Sequence, residues 1–130
     1  MNKLLLSAVA ASLVVSGCAK KLEPPFDRGV CYALAFDKQG KAKFNPVAEN
    51  VPNMENCAAQ LEGMRVRFAR LGLRNDYVTG TYQGTFIFIK PEGVFTAQSY
   101  EGIQYPALVR TGDGRLAVPG AMPVDQSPAQ

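Results

Sequence analysis

Residues 53–71 constrain the fold more than any other stretch. Met54, Cys57, Leu61, Met64, Phe68 and Leu71 recur at alternating spacings of three and four, which gathers apolar side chains on one face of an α-helix. Asn53 stands where an N-cap is needed and Glu55 near the positive end of the helix dipole. Gly72 supplies the stop signal. Before this stretch the period is two. Val30, Tyr32, Leu34 and Phe36 alternate with Cys31, Ala33 and Ala35, which predicts a strand with one large face and one small face. A helix with a single apolar stripe must bury that stripe against another element, and a small strand face admits it closely.

The flanking sequence completes the pattern. Asp37 to Lys41 reads as a turn, with Gly40 free to take positive φ. Lys43 to Val47 pairs back as a short strand, and Asn45-Pro46 requires it to end early or lie at an edge. After Asp76, strand-like runs follow at short intervals: Tyr77–Gln83, Thr85–Lys90, Val94–Tyr100, Tyr105–Thr111 and Arg115–Val118. Gly84 marks a bulge or bend between the first two. Loops of two to five residues between successive strands imply antiparallel neighbours. The expected fold is therefore α+β: an N-terminal strand or hairpin, one amphipathic helix over about 53–71, then a four- or five-stranded antiparallel β-meander packed on it. The large face of the first strand requires a cover on the second side, or a sheet curled into a partial barrel.

The N-terminus carries a different kind of information. Lys3 precedes an apolar run from Leu4 to Val15, about 12 residues and within the length of a signal h-region. A spanning helix needs about 20, so cleavage is expected. Val15-Ser16-Gly17-Cys18 resembles the lipobox of bacterial lipoproteins: an aliphatic residue, two small residues, then the cysteine that receives lipid. The resemblance covers this signal only. It implies diacylglycerol transfer to Cys18, cleavage after Gly17 and acylation of the new terminus, a multiple-chain anchor that holds far better than one acyl chain. The competing reading is an ordinary secreted protein. Ala19, rather than Asp, after the cysteine implies the outer membrane by the family's sorting pattern, with the domain facing the periplasm.

With Cys18 assigned to lipid, Cys31 and Cys57 remain as an even pair. In an oxidising periplasm such a pair is expected to form a disulfide. Closing about 27 residues contributes on the order of 3–4 kcal/mol by the chain-entropy model. The alternative is two separate buried thiols. Cys57 lies on the apolar helix face and Cys31 on the small strand face, so a bond would pin the helix over Ala33 and Ala35. The chain then divides into a signal peptide (1–17), a lipidated tether (18–29) extended by Pro24-Pro25, one domain (30–119), and a disordered tail (120–130) of Pro, Gly, Ala and Gln.

Chemistry is limited by what the chain lacks. It has no histidine, which excludes His-based nucleophilic triads, histidine acid–base work and His-containing zinc sites. No Gly-rich phosphate loop is present; Gly112-Asp113-Gly114 reads as a hairpin turn. Without residues 1–17, 13 basic side chains face 11 acidic ones, a balance that argues against nucleic acid as a partner. Glu92, Glu101 and Asp113 are the remaining acids for paired-carboxylate chemistry, and all fall in turns. No cofactor, metal or catalytic residue is expected.

Two surface features remain. Arg67, Arg70 and Arg74 fall at i, i+3 and i+7 near the helix end, where they meet an anion or acidic partner, or simply complement the helix dipole. Tyr77, Tyr82, Tyr100 and Tyr105 are spread over neighbouring strands, as protein- or glycan-binding tyrosines or as the rim of the core. The sequence expectation is a non-catalytic lipoprotein that binds a protein or glycan component of the envelope and helps assemble or maintain it. The alternative is an inhibitor of lysozyme-type hydrolases, inserting the Pro91–Gly93 or Glu101–Gly102 turn into a cleft.

Overall fold

In a computed structural model, residues 21–73 and 77–119 are described. Strands β1 (Cys31–Phe36) and β2 (Ala42–Ala48) form a hairpin, helix α1 (Met54–Arg70) follows, and β3 (Val78–Tyr82), β4 (Thr85–Lys90), β5 (Gly93–Ala97), β6 (Tyr105–Arg110) and β7 (Leu116–Ala117) complete the chain. All strands join one sheet in the order β2-β1-β3-β4-β5-β6-β7, every pair antiparallel. The fold is thus α+β and mostly sheet.

β1 sits between β2 and β3, so the hairpin and the meander are one sheet. β2 and β3 run parallel to each other on either side of β1, and α1 is the crossover that such an arrangement needs. Pro46 lies in β2, the edge strand, where its missing N–H is tolerated.

The helix begins as its sequence expects. The Asn53 side chain accepts from the Asn56 N–H at 2.9 Å, and Glu55 lies in the first turn. It ends one residue earlier than the apolar period implies. Leu71 is the C-cap residue, 73% exposed, and Gly72 follows with φ +76°. Cys57, Ala58 and Leu61 form the buried stripe.

Cys31 and Cys57 are disulfide-bonded, with their Cα atoms 5.3 Å apart and both side chains fully buried. Cys31 and Ala33 pack in the helix-side cluster with Leu61, Tyr82, Ile87, Ile89 and Val94. Ala35, at the far end of the small face, stays exposed. Val47 and Ala48 of β2 and Leu116 of β7 reach this same cluster, so both edges of the sheet curve towards the helix.

β4 is covered on both sides. Ile87 and Ile89 face the helix cluster, while Phe86 and Phe88 join a second cluster with Ala97, Leu34, Phe44, Phe95, Tyr100 and Leu22. The cover that the first strand's large face requires is therefore local. Tyr100 lies with ring centroids 6.0 Å from Phe86, 6.1 Å from Phe88 and 5.7 Å from Phe36. Leu22 comes from the segment expected to be a free tether, so at least part of 18–29 is a strap laid on the sheet. Tyr32 donates its hydroxyl to Asp27 in that strap, and Gly29 N–H donates to Gln83 Oε1 at 3.0 Å.

Gly84 is a turn residue rather than a bulge. Gln83 and Gly84 both have positive φ, 46° and 84°, and they alone join the paired Tyr82 and Thr85, the two-residue hairpin whose twist matches its strands.

Candidate binding groove

The outer wall of α1 and the β6–β7 hairpin leave an open groove of about 860 Å³ between them. Its shape comes from small residues. Ala59 and Gly63 lie one turn apart on a helix flank beside the buried stripe, and Val66 continues that flank. A Cβ at Gly63 would meet nothing within 4 Å, so this glycine fills no packing role despite its cost of about 1 kcal/mol in a helix interior. Leu108, Leu116 and Ala117 face it from the hairpin.

Charge is unevenly placed along the groove. Arg67 and Arg70 stand at the C-terminal end of the helical wall, both exposed, with Arg115 on the hairpin wall. Among the described residues, no carboxylate pairs with Arg67 or Arg70. Arg115 lies 3.9 Å from Asp113, with both side chains largely exposed, a separation and exposure at which pairing contributes little. Glu55 marks the opposite end of the groove.

Glu62 also borders the groove but is already engaged. Its carboxylate accepts from Arg65 at 2.7 Å and from Arg110 at 2.9 and 3.1 Å. Arg110 also donates to the carbonyls of Lys90 and Pro91 at 2.6 and 2.9 Å. Helix, β6 and the β4–β5 turn are thereby tied at one point. Burial pushes the Glu62 carboxyl up, but the hydrogen bonds and charges of Arg65 and Arg110 outweigh it and hold its pKa down to about 2.

Of the residues singled out from sequence, the structure brings Arg67 and Arg70 together on one wall. Arg74 and Cys18 lie outside the described residues. The tyrosines separate into different roles. Tyr82 is 7% exposed and donates to the Val51 carbonyl at 2.6 Å, and Tyr100 is packed among phenylalanines, whereas Tyr77 and Tyr105 are exposed. Glu92, Glu101 and Asp113 occupy three different turns, all exposed. The Pro91 turn is exposed at Pro91 and Glu92, and Arg110 donates to the Pro91 carbonyl at 2.9 Å.

Sequence reasoning missed Arg115 and the Ala59–Gly63 flank. The available signal was a glycine inside a helical pattern that does not break the helix, which marks a packing or functional requirement. No family model, curated protein or solved structure matches this chain.

Proposed function

We propose that this chain is a non-catalytic outer-membrane lipoprotein, held through acylated Cys18 and facing the periplasm, that binds an acidic segment of another envelope protein and serves envelope assembly or maintenance. The observation that carries the binding reading is the groove, with Arg67 and Arg70 across from Arg115 over an apolar floor. Guanidinium groups match carboxylates in bidentate geometry. An apolar floor receives the side chains of an extended segment, and Glu55 at the other end sets its direction by repulsion.

A photocrosslinking side chain at Ala59, inside the groove, tests this in intact cells. The expected result is one discrete adduct, weakened about tenfold by Arg67→Glu with Arg70→Glu, since two exposed charge pairs of this kind contribute on the order of 1–2 kcal/mol. The same group at Gln60, exposed but outside the groove, is expected to give no such adduct. Identical patterns from both positions count against the groove.

A further inference from the structure

Several exposed apolar side chains gather at one end of the molecule, and Lys21, the first described residue, lies there. Ala33 pairs with Gly80, so the C-terminal end of β1, with Phe36, lies at the same end as Tyr77 before β3. Phe36 and Tyr77 line one cavity with Met64 and Phe68, which brings the last turns of α1 to that end as well. Leu71 and Leu73 follow directly. Phe36 is 49% exposed, Tyr77 59%, Leu71 73% and Leu73 55%. Grouped apolar exposure of this kind marks an interaction surface.

Lysines stand at the Phe36 side of this end. Lys38 and Lys41 flank Gly40 in the β1–β2 turn, all exposed. Lys21 lines a cavity with Phe36, Gly40 and Glu101, which places the start of the strap beside that turn. The nearest acid in the turn, Asp37, is occupied by the backbone N–H groups of Gln39 and Lys41 at 2.9 and 2.8 Å. Only Ala19 and Lys20 separate Cys18 from Lys21, three Cα–Cα steps and at most about 11 Å of chain.

We propose that this end of the domain seats directly on an anionic phospholipid surface, with Phe36, Leu71, Leu73 and Tyr77 in the headgroup boundary and Lys21, Lys38 and Lys41 on the phosphates. The inference deepens the lipoprotein reading and rests on it for the position of the membrane. Charge complementarity selects the lipid, since each lysine near an anionic leaflet strengthens binding several-fold, and exposed apolar side chains add their burial at the boundary. α1 then points its C-terminus at the bilayer. The short tether is what brings this end within reach, rather than a spacer that holds the domain away.

The chain contains no tryptophan, so Tyr77→Trp introduces a single reporter at this end. Phe26→Trp introduces one at the opposite end of β3, where Phe26 lies against Gly84. The full protein, purified from membranes, is reconstituted in vesicles of brominated phosphatidylcholine with phosphatidylglycerol. The expected result is strong quenching of the Tyr77→Trp emission, little quenching for Phe26→Trp, and loss of the difference on adding Lys38→Glu with Lys41→Glu. For protein added from solution, that charge reversal is expected to lower partitioning at least about 20-fold. Equal, weak quenching at both positions overturns the proposal. The mass of the Cys18 peptide from the same sample separates the two readings. Acylated Cys18 without quenching removes the seat and keeps the anchor; unmodified Cys18 with quenching keeps the seat and removes the anchor.

Discussion

Leu61 lies so closely over Gly80 that a Cβ at Gly80 would stand 2.5 Å from Leu61 Cδ1 and 2.4 Å from the Tyr32 carbonyl oxygen. The Leu61 side chain rests directly on the β3 backbone here, in the space that Gly80 leaves by having no side chain. Gly80→Ala therefore forces backbone and helix apart, and a loss of roughly 2–4 kcal/mol is expected from overpacking of this kind. The midpoint of urea unfolding, compared with the parent protein, measures it. An unchanged midpoint would mean that α1 does not rest on β3 as described.

The Cys31–Cys57 bond pins the first turns of the same helix to the first strand. Replacing both cysteines by alanine is expected to lower stability by about 3–4 kcal/mol, chiefly by freeing the unfolded chain. Reduction of the parent protein should lower the unfolding midpoint in the same direction. A midpoint indifferent to reductant contradicts the bond.

Glu62 gives the protein a pH signature. Its carboxyl is held at about 2 in the folded state, against an ordinary value of 4.5. A depressed folded-state pKa contributes stability that is fully present above the unfolded value and disappears as pH falls through the folded one. Stability is therefore expected to decline between about pH 4.5 and pH 2, the window set by those two values. Glu62→Gln should flatten that decline and cost about 1–2 kcal/mol at neutral pH, since the partly exposed site screens the pairs. Denaturant titrations across this range read both effects, and identical slopes for parent and variant contradict the assignment.

Gly63 distinguishes packing from function. Because a Cβ there has open space around it, Gly63→Ala is expected to stabilise the helix by about 0.5–1 kcal/mol. The same methyl narrows the groove, so the crosslink from Ala59 should weaken while the melting temperature rises. A drop in melting temperature would show that the glycine is required for packing.

The contrast between what was legible and what was not follows from range. The 3.6-residue period, Asn53 and the alternation of Cys31 to Phe36 are local, and they place α1 and β1 and the faces that meet. Pairing of β1 with β3 joins residues about 50 positions apart in sequence, and alternation specifies a face without naming a neighbour. Leu71 continues the apolar period but lies beyond the last helical residue, where spacing alone carries no information about burial. Leu22 sits among charged residues and prolines that read as linker, and only the phenylalanines of β4 give it somewhere to pack. The groove was hidden for the opposite reason. Its walls are small residues, whose effect is the space they leave, and Arg115 reaches it only through the β6–β7 turn.

The proposed lipid on Cys18 is the premise that links the compartment, the disulfide and the proposed membrane seat, and the intact mass of the N-terminal peptide tests it most directly. Protein extracted from the membrane fraction is predicted to begin at Cys18 and to carry a diacylglycerol and a further acyl chain, with Cys18→Ser accumulating as an unprocessed precursor. An unmodified chain recovered from the aqueous fraction, or normal processing of Cys18→Ser, would contradict the account.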